Sequence, residues 1–166
     1  MRTLYLLRHA KSSWDDPALP DRERPLAPRG RQDAKRIGKH LSRLGSTPAL
    51  VLCSSAVRTQ ETLDLIRPAL AEVPIQIEEQ LYGASSETLL ERIRSVPDEV
   101  GSLLLIGHNP GVQDLALVLA SSGAELERLQ AKFPTAALAT LALARWSSLN
   151  LGDAELIAYV VPKQLH

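Results

Sequence analysis

The chain has 166 residues, 45% of them apolar, and nineteen basic side chains balance nineteen acidic ones, for a formal net charge of +0. That length and apolar content suit one domain, residues 1–166, whose core can stand without staples; the balanced charge supplies no net field to draw nucleic acid or an anionic membrane. The single cysteine, Cys53, excludes an internal disulfide and a cysteine metal cluster. No segment reaches the roughly 18 apolar residues of a membrane span, and the first residues lack the basic-then-apolar layout of a signal peptide, so a soluble cytoplasmic protein is expected. One Phe, two Trp and three Tyr provide no aromatic ladder for stacking bases.

The first predicted element is a short buried strand, Thr3-Leu4-Tyr5-Leu6-Leu7, which ends abruptly in Arg8-His9-Ala10. Residues 14–28 are polar and broken by Pro17, Pro20, Pro25 and Pro28, so they read as a long loop beside that strand end, with Trp14 packed beneath it. From Arg29 the spacing of Ala34, Ile37, Leu41 and Leu44 predicts an amphipathic helix ended by Gly45. Residues 50–53 form a second strand, and Ser54-Ser55 offers a cap for a helix over 56–70. Residues 75–77 read as a third strand, 86–95 as a helix, and 102–106 as a fourth, wholly aliphatic strand running into Gly107-His108-Asn109-Pro110-Gly111. A helix over 112–120 follows, then a polar linker and two strands near 137–144 and 155–161. The alanine-rich stretch 136–144 has a composition that equally allows a helix. Strands alternating with helices predict an α/β fold with a mainly parallel central sheet covered on both faces, a three-layer α/β/α sandwich.

In such a sheet the exits of parallel strands share one edge, where α/β proteins keep their ligands. Arg8 and His9 leave the first strand, Arg58 opens the helix after the second, and His108 follows the fourth. Two arginines and two histidines brought together repel unless an anion satisfies them, and guanidinium forks match phosphoryl oxygens bidentately. A histidine kept neutral by that surrounding charge can attack phosphorus. His9 is the expected nucleophile: a nearby carbonyl would fix the proton on Nδ1 and leave Nε2 to attack. His108, protonated, is expected to donate to the non-bridging oxygens. Ser12 and Asn109 lie beside the cage as further phosphate donors. A metal site on His9, His108 and His40 is rejected because its surroundings offer arginines where metal ligands would be carboxylates or thiols; no metal or other cofactor is expected. His40 and His166 read as solvated.

At these residues the chain resembles the histidine phosphatase superfamily, the phosphoglycerate mutase-like family, and within it the small SixA-type phosphohistidine phosphatases. Leu7-Arg8-His9-Ala10-Lys11-Ser12-Ser13-Trp14 is similar to the family's Arg-His-Gly-x-Ser-x-Trp signature, with Ala10 in place of the glycine. Pro25-Leu26-Ala27-Pro28-Arg29-Gly30-Arg31-Gln32-Asp33-Ala34 is similar to its Leu-Thr-x-x-Gly-x-x-Gln-Ala helix start. Ser54-Ser55-Ala56-Val57-Arg58-Thr59-Gln60-Glu61-Thr62 resembles its Ser-x-x-x-Arg-x-x-x-Thr block, and Gly107-His108-Asn109-Pro110-Gly111 the block carrying its second histidine. The resemblance implies a phosphoglycerate mutase-like fold and a covalent phosphohistidine mechanism on Arg8, His9, Arg58 and His108. It also implies a general acid: Glu79-Gln80-Leu81-Tyr82-Gly83 resembles the Glu-x-x-Tyr-Gly stretch of the mutase branch, which makes Glu79 the candidate. A phosphoramidate leaving group can instead be protonated by solvent.

The chain's size leaves little for a lid, so an open, shallow site is expected, better suited to a phosphorylated side chain than to an enclosed sugar phosphate. The reading is a phosphatase acting on phosphohistidine or other phosphorylated side chains of proteins, with a histidine-phosphotransfer domain among the candidate partners. Two alternatives stay open: a broad small-molecule phosphomonoesterase acting on phosphate esters, and a phosphate-recognition module without turnover. Residues 15–27, with Arg22, Glu23 and Arg24, are placed to set substrate choice.

Overall fold

A computed structural model describes residues 1–165; His166, expected to be solvated, lies outside the described residues. Seven strands form one sheet: β1 (Arg2–Arg8), β2 (Leu50–Ser54), β3 (Ile75–Glu78), β4 (Ser102–Gly107), β5 (Ala120–Ser122), β6 (Leu138–Leu143) and β7 (Ala154–Val160). Their order is β3-β2-β4-β1-β6-β7-β5. The strands β3, β2, β4 and β1 run parallel, β6 is antiparallel to both β1 and β7, and β5 pairs parallel to β7. The expected mainly parallel sheet is therefore found, and the 136–144 stretch is a strand. Its neighbours explain this: each β6 residue from Leu138 to Leu143 faces a β1 partner, so sheet pairing overrides the helical propensity of alanine.

Side chains alternate across β1, and each set enters its own layer. Tyr5 and Leu7 pack with Ile37, Leu41, Leu63 and Ile66 from α1 (Pro28–Arg43) and α2 (Val57–Ile66). Leu4 and Leu6 pack on the opposite face with Leu89, Ile93, Leu115, Leu119 and Leu129, which come from α3 (Ser86–Arg94), α4 (Gly111–Leu119) and α5 (Leu126–Ala131). This is the three-layer arrangement.

Four local expectations are corrected. The helix after β2 stops at Ile66 and tightens into a 3-10 turn, Arg67–Ala69, because Pro68 lacks the amide hydrogen that an α-helix would use. Its N-cap is Ala56, with no side-chain hydrogen bond, so neither Ser54 nor Ser55 caps it. The linker after α4 contains β5 and α5, elements too short to leave a readable period in sequence. Trp14 does not pack beneath the loop: it is 68% exposed, with the Arg24 guanidinium 3.5 Å above its ring.

The loop between β1 and α1 is fastened at its base. Ser13 N–H donates to Pro25 O and Ala27 N–H to Lys11 O, while Leu26 N–H donates to Glu61 Oε1 on α2 at 2.7 Å. Gly30 allows this closeness, since a β-carbon there would fall 2.1 Å from Lys11 O.

Candidate active site

The exits of β1, β2 and β4 share an edge, and the parallel register sets Arg8 opposite Gly107, so His9 and His108 emerge side by side. Their ring centroids are 5.3 Å apart with planes inclined by 53°. His9 is 7% exposed, and its Nδ1–H donates to the carbonyl of Ala10 at 2.7 Å, which leaves the Nε2 lone pair as the ring's nucleophilic position. Burial lowers its pKa to about 3, with His108, Arg58 and Arg8 pushing the same way against the Ala10 bond, so the ring is neutral at physiological pH. Thr62 on α2 holds the turn behind it: Thr62 Oγ1 accepts from Ala10 N–H at 3.0 Å and donates to Arg58 O at 2.7 Å.

Burial, then the Arg58 charge, lowers the His108 pKa to about 4. Among these side chains alone His108 is therefore neutral at physiological pH, whereas the protonated donor is expected beside a phosphoryl group, whose negative charge raises an imidazole's pKa. A donor role survives in the neutral ring, because Ser54 Oγ lies 2.7 Å from Nε2 and can give it a proton, which places the imidazole's own hydrogen on Nδ1. Among the described residues, three buried nitrogens lack a partner: His108 Nδ1, Arg8 Nε and Arg58 Nε. Leaving a buried donor unpaired costs about 1–3 kcal/mol. Three such donors on the residues that surround His9 suit a ligand rich in acceptor oxygens.

Arg58 has both outer nitrogens committed elsewhere, and Arg8 has one. Arg8 Nη1 donates to Phe133 O at 2.9 Å. Arg58 Nη1 donates to the main-chain oxygen of Asp21 at 2.7 Å, and Nη2 to Asp21 Oδ2 at 3.0 Å. Asp21 opens a 3-10 turn, Asp21–Glu23, in the long loop. Its carboxylate also accepts from the Tyr82 hydroxyl at 2.5 Å and from Arg24. The Tyr82 bond first, then Arg58, holds the Asp21 carboxyl well below the usual carboxylate range, so it is ionised. Tyr82 also sets its ring edge-on to His108, at a centroid distance of 5.5 Å.

Arg8, His9, Arg58 and His108 are thus brought together. Ser12 and Asn109 sit one step outward: Ser12 Oγ accepts from Arg24 Nη1 at 2.7 Å, and Asn109 uses its amide on Phe133 O and on the N–H of Gln113. Glu79 lies in the turn after β3, largely exposed, paired with Arg22 and accepting from Ser55 Oγ at 2.8 Å. Asp21 escapes the sequence reading, and Ser54, Thr62 and Tyr82 are given no part in the site there although signals are present: Ser54 and Thr62 are the ends of the block around Arg58, and Tyr82 lies inside the stretch that suggests Glu79. Cys53 is buried, and burial pushes its thiol up to about 12, which makes it a poor nucleophile. His40 is half-buried on α1, which corrects its expected full solvation. Among the described residues no three His, Cys, Asp or Glu side chains gather as metal ligands, and no helix is long and apolar enough to cross a membrane.

A family model described as the histidine phosphatase superfamily (branch 1) matches residues 4–100. The chain is 40% identical over 164 residues to an uncharacterized protein of Mycobacterium tuberculosis, covering 95% of this chain and 100% of that one. Among solved structures, a candidate phosphohistidine phosphatase SixA from Agrobacterium tumefaciens is 31% identical, with a TM-score of 0.84 over 97% of this chain and 98% of the other. A candidate phosphohistidine phosphatase SixA from Nakamurella multipartitia superposes with a TM-score of 0.85 at 28% identity, over 97% and 96% of the two chains.

Proposed function

The chain belongs to the histidine phosphatase superfamily and is a phosphatase of that family, and we propose that it removes the phosphoryl group from phosphohistidine side chains of proteins through a covalent intermediate on His9. One observation carries this reading: the His9 proton is fixed on the Ala10 carbonyl, so Nε2 faces substrate as a neutral nucleophile among donors that have no acceptor of their own.

Nε2 of His9 attacks phosphorus in line, the bond from phosphorus to the substrate imidazole breaks, and that imidazole leaves with a proton from solvent. Water then attacks the phosphoryl group on His9, releasing orthophosphate and restoring the neutral ring. Arg8, Arg58 and His108 hold the phosphoryl oxygens through both displacements. Ser12 supports the cage through Arg24, and Asn109 through the Phe133 carbonyl that also orients Arg8. The names of two structural relatives, both phosphohistidine phosphatases by name, favour phosphohistidine as the substrate group.

The test is rapid-quench labelling with a 32P-phosphoryl donor. Wild type should form and lose an acid-labile, base-stable adduct that His9→Ala does not form. Equal turnover of phosphohistidine by His9→Ala would remove His9 as the nucleophile.

A further inference from the structure

The sheet edge that carries the cage also carries a pocket that catalysis does not use. It has a volume of about 370 Å³ and lies among the first turns of α1, the end of α5 and the turn after β7. Tyr159, Val161 and Pro162 give it an apolar floor. Arg29, Arg36, Arg128, Lys132 and Lys163 surround that floor, against one lining carboxylate, Asp33. Asp33 is already engaged, 3.1 Å from Arg36 and 3.9 Å from Arg29. Arg128 is paired in turn with Glu125, so in a chain whose charges cancel the pocket keeps a local excess of three cations.

Strand register fixes where the pocket stands relative to the cage. Leu7 pairs with Leu138 and Leu138 with Val160, while Arg8 N–H donates to Ala137 O. Val161 on the pocket floor is therefore level with Arg8, two strand spacings or roughly 10 Å along the edge. The two sites share a wall: Lys132 and Pro134 line the pocket, and Phe133 between them turns its carbonyl to Arg8 and Asn109.

We propose that this pocket receives an acidic segment of the protein substrate, with an apolar side chain on the floor and flanking carboxylates against the cations. This rests on the protein-substrate reading above. The five cations are exposed and come from three separate elements, an arrangement that suits several carboxylates along a chain better than one sequestered phosphate. An extended peptide advances about 3.3 Å per residue, so the acidic group falls about three residues from the phosphorylated side chain.

The experiment uses short phosphohistidine peptides carrying Glu-Leu-Glu or Gln-Leu-Gln centred three residues before or after the phosphohistidine, with wild type and the Lys132→Glu/Lys163→Glu double variant. With wild type, one acidic peptide should show a KM at least tenfold below its neutral partner. The variant should lose that advantage while its kcat on free phosphoramidate stays unchanged. Equal KM values for acidic and neutral peptides, or an advantage that survives the double substitution, would overturn the proposal. If no phosphohistidine peptide is turned over, the protein-substrate reading fails, and fluorescence anisotropy of the labelled, unphosphorylated acidic peptides decides the pocket separately. Saturable binding by wild type and not by the variant supports it; no binding by wild type overturns it.

Discussion

Arg58 meets its cage from one side and its loop from the other, and the loop side is held by a single residue, Asp21. Replacing Asp21 with Asn removes the charge that balances the guanidinium while keeping a similar shape. The expected outcome is a fall in kcat/KM of about 10–100-fold, in keeping with the 1.5–3 kcal/mol typical of a hydrogen bond to a charged group, with an unchanged circular dichroism spectrum. Glu79 is committed to Arg22 and Ser55, so Glu79→Gln should hydrolyse phosphohistidine within about twofold of wild type; a loss of about 100-fold or more would instead mark a general acid. The two histidines predict an acid sensitivity. Their folded pKa values, about 3 and about 4, lie below the 6.5 of a free imidazole. Between those limits the unfolded chain binds more protons than the folded one, so stability is complete above pH 6.5 and lost as pH falls. From pH 6.5 to 5 each ring should cost about 2 kcal/mol, and urea titrations of wild type and His9→Asn should differ in slope against pH by one histidine's share. Arg8, His9, Arg58 and His108 are legible in the sequence because each follows or adjoins a readable strand. Asp21 is not, since its role depends on where a proline-rich loop turns, and Ser54 is legible as a motif residue but not in its role, which depends on which proton a ring carries.

At the scale of elements, the site depends on how α1 and the β1 exit approach each other. Gly30 brings the helix backbone against Lys11, two residues beyond His9, and Gly30→Ala would press a methyl group into the Lys11 carbonyl. Overpacking of this kind costs about 1–3 kcal/mol. A thermal melt should show the lost stability, and the phosphoenzyme burst should slow as well, because the displaced backbone leads straight to His9, the proposed nucleophile. Of the four parallel strands, β1, β2 and β4 are legible as short apolar runs closed by a polar exit, and β3 by the alternation of Ile75 and Ile77 with polar residues. The α5 and β5 elements are not: α5 buries Leu129 alone, and β5 exists through pairing with β7, a partner some thirty residues away. The helix over 56–70 is overextended in the sequence reading because a proline late in a periodic run stops an α-helix without erasing its apolar pattern.

At the scale of the molecule, a net charge of zero conceals an uneven distribution. The cage and the pocket beside it concentrate cations at one edge of the sheet, which whole-chain composition cannot reveal and register does. Salt should therefore act on catalysis more than on folding: raising ionic strength from about 0.05 to 0.5 M is expected to raise KM for an anionic phosphopeptide several-fold while shifting the thermal midpoint little. Equal sensitivity of both would argue against a local anion-binding edge. The sheet order has one more consequence, for the making of the protein. The strand that leads to His9 precedes both of its neighbours in the chain, for it lies in the interior of the sheet between β4 and β6, whose residues end at Gly107 and Leu143. At about 5–20 residues per second, a ribosome needs on the order of ten seconds to deliver the second neighbour. During that interval an aliphatic strand with two open edges has to be kept from pairing elsewhere, and His9, synthesised before either neighbour of its strand, becomes useful only after the second has arrived.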